Sequence, residues 1–192
     1  MSKLVNQYSM DNVLNNQESS FTYLCRSIIS QQLSSKVASI IEQRFKNLFK
    51  SQIPTPEKVL KLEIEVLKSV GLSSQKSTYI KNLASYFLEN KKLVKELPKL
   101  TNEEIIQHLT HIKGIGVWTV EMFLMFSLKR EDIFSYKDLG LYTAVKKLYQ
   151  VKSRTAKKEK EKILKISEQW SPYRTYACLY LWRWYEDGMP SF

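Results

Sequence analysis

Glycine is scarce in this chain. There are five glycines in 192 residues, alongside five prolines, two cysteines and two histidines. A chain this poor in glycine places it where the backbone must turn sharply or approach something closely. The cysteines, Cys25 and Cys178, lie far apart, which excludes a disulfide framework and any thiolate metal spacing and points to a reducing compartment. Both sit in apolar helical contexts and are expected simply to pack there. His108 and His111 are three apart, a spacing that can bind metal, but no third ligand accompanies them, so they read as surface or hairpin-packing residues. No apolar run approaches the length of a membrane span. The N-terminus, Met1-Ser-Lys-Leu-Val-Asn-Gln, lacks the apolar stretch of a signal peptide. The expectation is a soluble, intracellular protein with no membrane partner. Acids are the minority charge, 19 against 30 lysines and arginines, giving a net charge of +11. Polyanions are therefore favoured partners, nucleic acid first and anionic membrane second. The bland alternative is a soluble basic protein from a lysine-rich proteome.

What the chain does contain is helical periodicity. With 43% hydrophobic and 12% aromatic residues it is globular in composition, and disorder is expected only at the ends. Phe21 to Ile29 reads as a helix entered through Ser19 or Ser20, and Ala38, Ile41, Phe45, Leu48 and Phe49 share one face of the next. Thr55-Pro56-Glu57 is a helix start, a hydroxyl cap followed by proline and an acid, and the helical run continues to Val70 and stops at Gly71. Ser73 to Asn90 follows, and Thr101-Asn-Glu-Glu104 matches a capping box. Val117 to Leu128 is apolar almost all round and should be buried. Asp138 has the type and position of an N-cap for a helix through Leu148, Thr155 to Trp170 is a lysine-rich helix, and Pro172 opens a last one to about Tyr185. No strand or repeat stands out. The fold class is all-α, with roughly nine to eleven short helices. Residues 1–192 read as one domain of two helical lobes, and Pro54-Thr-Pro56 and Leu97-Pro98 are candidate crossings between them.

Two of the five glycines flank one turn, Ile112-Lys113-Gly114-Ile115-Gly116, between helical stretches, in a hairpin at about 109–120. Glycine there permits positive φ and leaves no β-carbon in the way of an approaching backbone. The amides that open the second helix then face outward at the positive end of its dipole, where a DNA phosphate fits. Hairpin carbonyls could also hold a monovalent cation. The alternative is an ordinary helix–helix turn.

The residues around this turn resemble a known family. Gly114-Ile-Gly116-Val-Trp118-Thr, Asp138-Leu-Gly-Leu141 and Ala177-Cys-Leu-Tyr-Leu-Trp182 are similar to segments of the helix-hairpin-helix DNA glycosylases, and within them most similar to the 3-methyladenine (alkylbase) glycosylase II family. Arg26-Ser-Ile-Ile-Ser-Gln31-Gln32-Leu33-Ser34 and Gly71-Leu72-Ser73-Ser-Gln-Lys76 match further segments, in family order from about Phe21 to Gly188. The resemblance implies an enzyme of base excision repair that flips a damaged nucleotide from double-stranded DNA and cuts its N-glycosidic bond, acting as a monomer with the chromosomal DNA. Asp138 matches the family's catalytic aspartate. A carboxylate beside the sugar stabilises the positive charge that grows in the transition state, and it can also orient or deprotonate the attacking water. Its alternative role is the helix cap. Asp11, Asp132 and Asp187 are the only other aspartates, and Lys137 stands where some relatives have a second acid.

Trp118 stands immediately after the hairpin, where strand-nicking relatives carry a Schiff-base lysine. Water is then the expected nucleophile, and the enzyme a monofunctional glycosylase that leaves an abasic site. The four-cysteine iron–sulfur motif of endonuclease III-type relatives is absent from the sequence, so no cofactor is expected. Trp118 and Trp182 match base-pocket aromatics, suited to a cationic alkylpurine by stacking and cation–π attraction of ~0.5–2 kcal/mol. Met122, four residues after Trp118, is a further pocket candidate, and Trp170, Trp184, Tyr176 and Tyr180 are assigned to packing. The pocket could take 3-methyladenine, 7-methylguanine, hypoxanthine or ethenoadenine. Gln32 or Leu33, in Gln31-Gln32-Leu33-Ser34, is the candidate wedge that fills the gap left by flipping, and Lys76 a candidate phosphate contact. The run Lys152 to Lys165, with seven basic residues and two acids, reads as a solvated helix face ahead of a DNA contact. Larger relatives carry an N-terminal β-rich domain, which is expected to be missing here. A non-catalytic DNA-binding or damage-sensing module is the alternative function.

Overall fold

The computed structural model describes residues 1–9 and 18–191, and among them it contains twelve α-helices, one 3-10 turn and no strand. The chain divides into two compact units, Gln17–Phe123 and Met1–Asn16 with Leu124–Phe192. The division falls inside a helix, not at Pro54–Pro56 or Leu97–Pro98. Those prolines serve helix starts instead: Pro56 is the first residue of a helix and Pro98 lies in the 3-10 turn Leu97–Lys99.

In the first unit, which we call the hairpin unit, α2 (Ser20–Ser30) starts where the Ser19 hydroxyl accepts the Thr22 amide at 3.2 Å. Its inward face, Phe21, Leu24, Ile28 and Ile29, is buried and packs on α6 (Ser74–Glu89), with the Phe21 and Phe87 rings 5.4 Å apart. Each such side chain removed from water contributes ~1.5–3 kcal/mol. Next to α2 lies α3 (Ser35–Asn47), which buries Ala38, Ile41 and Phe45. The stretch expected to be continuous from Pro56 to Val70 is two helices, α4 (Pro56–Leu60) and α5 (Ile64–Ser69). The break has a cause distant in sequence: the Lys81 ammonium on α6 donates to the Leu60 carbonyl at 2.8 Å and to the Leu62 carbonyl, holding both open. α7 (Lys91–Glu96), which periodicity did not reveal, follows directly on Asn90. α8 (Asn102–Thr110) begins with the expected capping box, Thr101 and Glu104 each satisfying the other's backbone amide. α9 (Val117–Phe126) carries the chain out of this unit.

In the second, the aspartate unit, α10 (Leu139–Leu148) packs against α12 (Arg174–Glu186) through Leu141, Ala144 and Val145 on one side and Ala177, Cys178 and Leu181 among the buried residues of the other. α11 (Ala156–Glu168) joins α10, and α1 (Ser2–Gln7) joins α12. The last helix begins at Arg174 instead of Pro172. Its start is fixed from outside: the Asp132 carboxylate accepts the Arg174 amide at 3.3 Å, the Arg174 guanidinium at 2.6 and 2.9 Å, and the Ser171 hydroxyl at 2.9 Å.

Candidate functional site

The glycine turn lies wholly in the hairpin unit. α8 ends at Thr110, and the chain tightens through Ile112, whose carbonyl accepts the Ile115 amide at 3.0 Å. Ile112 and Ile115 point inward and are buried, so the turn is anchored by its apolar residues and presents its glycines. The two glycines do different things. Gly114 has φ +104°, and a β-carbon there would lie 2.3 Å from the Tyr79 ring, so both backbone and packing demand glycine. A β-carbon at Gly116 would meet nothing within 4 Å, and its carbonyl accepts the Val120 amide at 3.1 Å as α9 begins. It opens α9, whose first turn is also the exception to that helix's burial. Trp118 is 45% exposed and Val117 37%, whereas Val120, Met122, Phe123, Leu124 and Met125 are buried. Met122 is thus a packed residue, with its carbonyl accepting the Tyr23 hydroxyl at 3.0 Å.

The turn between α2 and α3 holds the wedge candidates. Gln32, Leu33 and Ser34 are all exposed, and Gln32 adopts φ +57°, a left-handed conformation uncommon for a non-glycine residue. Ser34 has a structural task as well, its hydroxyl accepting the Val37 amide at 3.4 Å to cap α3. Lys76, read from sequence as a phosphate contact, points into the protein. Its ammonium donates to the Ile29 carbonyl at 2.8 Å and the Gln31 carbonyl at 2.7 Å, at the negative end of α2. Burial there lowers its pKa below the ordinary lysine value. The Gln31 side-chain amide donates to the Gly114 carbonyl at 2.9 Å, one of the carbonyls read as cation ligands. Sequence reasoning placed Gln31 in the wedge segment but gave it no role of its own, since its bond to Gly114 spans 83 residues.

Asp138 lies in the aspartate unit, and it is the N-cap of α10: its Oδ1 accepts the Leu141 amide at 2.9 Å. The same oxygen accepts the Trp182 indole N–H at 2.8 Å, from α12. Trp182, read as a base-pocket face, thus presents its N–H to the carboxylate, while its ring stacks on Phe126 with centroids 6.0 Å apart and planes at 30°. Gly140 completes the arrangement. A β-carbon at 140 would lie 3.2 Å from Asp138 Oδ1, 3.3 Å from Tyr185 and 3.4 Å from Trp182, closer than side chains ordinarily pack. The other aspartates differ. Asp132 is occupied by Arg174, whose guanidinium holds its carboxyl below the usual carboxylate range against an opposing effect of burial. Asp187 is exposed at the end of α12, and Asp11 lies outside the described residues. Lys137 is exposed.

The lysine-rich run is partly engaged with its own unit. Lys160 lies over the Tyr136 ring at 5.2 Å, Glu159 pairs with Lys146 at 3.0 Å, and Lys162 donates to the Lys152 carbonyl at 2.7 Å. His108 and His111 join no group of metal-ligating side chains among the described residues. Cys25 and Cys178 are buried free thiols, as expected, and burial raises the Cys25 pKa well above the ordinary thiol value. No helix among the described residues is long and apolar enough to cross a membrane.

Comparison with known proteins agrees with this arrangement along most of the chain. The chain is 38% identical to DNA-3-methyladenine glycosylase 1 of Schizosaccharomyces pombe over 94% of its own length and 78% of the relative's. It is 34% identical to a putative DNA-3-methyladenine glycosylase of Bacillus subtilis over 85% of its length, and spans 58% of that longer relative. Among solved structures, S. pombe 3-methyladenine DNA glycosylase in complex with abasic DNA superposes with a TM-score of 0.79 at 35% identity, covering 99% of this chain and 91% of that one. The model of the HhH-GPD superfamily of base excision DNA repair proteins matches residues 25–170. Those residues run from the middle of α2 through the glycine turn and Asp138 to the end of α11, and the chain belongs to that superfamily.

Proposed function

We propose that this protein is a monofunctional DNA glycosylase that hydrolyses the N-glycosidic bond of alkylated purines, of the 3-methyladenine and 7-methylguanine type, and leaves an abasic site. The observation that carries the reading is the tethering of Asp138. Two N–H donors converge on one carboxylate oxygen, so the group is held as an oriented anion and not left to rotate in solvent. Oriented negative charge is what a transition state with a cationic sugar requires. The names of the relatives, the 3-methyladenine glycosylase of S. pombe and the putative one of B. subtilis, support the substrate class.

In this reading the lesion is flipped out of the duplex, with the Gly114–Gly116 turn and the first amides of α9 against a backbone phosphate and Gln32 or Leu33 in the vacated gap. The bond from the sugar C1′ to the purine nitrogen breaks and its electron pair leaves with the base. Alkylation has already given that base positive charge, so it departs neutral and needs little acid assistance. Asp138 stabilises the oxocarbenium-like sugar, water adds to C1′, and its proton is lost through the carboxylate. Trp118 takes the place of the lysine of strand-nicking relatives. Its exposure, in the open first turn of a helix whose middle is buried, supports a role in stacking on the lesion over one in core packing. The protein acts as a monomer, inside the cell, on chromosomal DNA.

The test is release of free base from methylated duplex DNA, run over 3-methyladenine, 7-methylguanine, hypoxanthine and ethenoadenine, with borohydride trapping in parallel. The expected result is release of the methylated purines and no covalent protein–DNA adduct. Binding without release from any lesion would make the protein a damage-sensing module, and an adduct would overturn the assignment of water as nucleophile.

A further inference from the structure

The wedge turn presents an unusual mechanical problem. A side chain that enters the base stack has to resist being pushed back, yet this turn is hardly packed. Gln32, Leu33 and Ser34 are exposed, and a cavity of about 410 Å³ opens beside them, lined among others by Gln31, Ile41, Lys76 and Tyr79. Gln32, at φ +57°, takes the left-handed position of a tight turn that the Leu33 amide closes on the Ser30 carbonyl at 3.2 Å. That bond shapes the turn locally, and its links to the rest of the unit are polar.

Two tethers lie at the base of the turn. Lys76 bridges the Ile29 and Gln31 carbonyls with one ammonium, fixing where α2 ends. Gln31 then donates its side-chain amide to the Gly114 carbonyl, 83 residues away in the chain, in the glycine turn. In that turn Tyr79 packs against Gly114 and leaves no room for a β-carbon. Lys76 and Tyr79 are both on α6, so one helix buttresses both loops.

We propose that Lys76 and Gln31 are positioning residues that lock the wedge turn Gln31–Ser34 to the glycine turn, so that the element entering the stack and the element gripping the backbone act as one rigid body. The proposal rests on the reading of these two turns as DNA-binding elements. Lys76 serves recognition without touching DNA. A rigid wedge lowers the conformational entropy lost on insertion, so the tethers favour DNA with a gap to fill and contribute little where the stack is intact.

The test is the ratio of affinities for a duplex containing an abasic-site analogue and for the same duplex intact, measured by fluorescence anisotropy on the full chain. Lys76→Met keeps the aliphatic stem and removes the charge, and Gln31→Leu removes the amide at constant net charge. Each is expected to lower the abasic preference by about fivefold or more, the scale of a lost hydrogen bond, with intact-duplex binding nearly unchanged. Lys76→Arg, which keeps a cation for the same carbonyls, should restore most of the preference. Thermal melting of each variant accompanies the measurement. An unchanged ratio in both variants, or equal weakening on both duplexes, overturns the proposal, since the latter is what lost folding or lost charge alone would give. Base release by the unaltered protein, measured alongside, separates the two ideas. Without release the glycosylase reading fails while the ratio still judges the tethers, and with release and an unchanged ratio the tethers fail alone.

Discussion

Replacing Asp138 by asparagine separates the helix cap seen at this residue from the catalytic role proposed for it. The substituted amide would keep a carbonyl oxygen where Oδ1 now accepts the Leu141 amide and the Trp182 indole, with its NH2 turned to the other side. Asparagine and aspartate are comparable N-caps, so α10 should start as before and the melting temperature should move little. What disappears is the negative charge. A carboxylate about 4 Å from a cationic sugar, at an effective dielectric of about 20, contributes about 4 kcal/mol. Each ~1.4 kcal/mol is a factor of ten in rate, and the sugar carries somewhat less than a full charge at the transition state. The expected loss in single-turnover base release is roughly a hundred- to a thousandfold, with affinity for abasic-site DNA within about twofold of the unaltered protein. Asp138→Ala is the contrasting variant: it should lose the same activity and also ~1 kcal/mol of stability, because the cap goes too. If the asparagine variant releases base at an undiminished rate, Asp138 is a helix cap and nothing more, and the catalytic reasoning is refuted.

Trp182→Phe removes one charge-assisted donor while preserving an aromatic ring against Phe126, and should slow base release by about ten- to a hundredfold at unchanged KM; an unaltered rate would mean the Leu141 amide alone orients the carboxylate. The two glycines of the hairpin should separate cleanly. Gly114→Ala drives a β-carbon into Tyr79 at φ +104° and should lower the melting temperature by several degrees, for a cost of ~1–3 kcal/mol or more, whereas Gly116→Ala should fold normally and weaken DNA binding; wild-type affinity in the latter would refute phosphate approach at 116. Asp132 governs acid stability. Its carboxyl is held below the usual range by the Arg174 guanidinium, so its contribution is fully present above the ordinary carboxylate pKa near ~4 and is lost as pH falls through the depressed folded value. Asp132→Asn should therefore melt lower than the unaltered protein at neutral pH, with the gap closing on acidification, and a gap independent of pH would exclude the charge as its source.

The features legible in the sequence are those decided within one helical turn. The caps at Ser19, Thr55, Thr101 and Asp138 are all present, because a side chain three residues from the amide it caps needs no tertiary structure to find it. The limits of what could be read lie where a distant residue decides. Lys81 divides the helix expected between Pro56 and Val70 from 19 and 21 residues away, and Asp132 resets the start of α12 from 42 away. The same holds at the site. Asp138 and Trp182 were both legible as members of a family pattern, but the hydrogen bond between them spans 44 residues and no local pattern encodes it. Lys76 was read as facing a phosphate, and its ammonium instead meets the Ile29 and Gln31 carbonyls, partners that no local pattern reveals until the end of α2 is placed beside it.

Gly140 bears on how such a protein can change over time. The second residue of α10 lies under the carboxylate and the indole that holds it, so even alanine there would press on both by a few tenths of an ångström. On the role proposed for Asp138, a substitution at 140 reaches the chemical step only by displacing the carboxylate or its indole. The first turn of α9 is different, since Val117 and Trp118 stand in the open, where exchange of a side chain disturbs no packed neighbour. If Trp118 stacks on the lesion as proposed, lineages of this fold can vary which lesion they read by substitution around it, while the carboxylate, its indole and its glycine pass down together as one block.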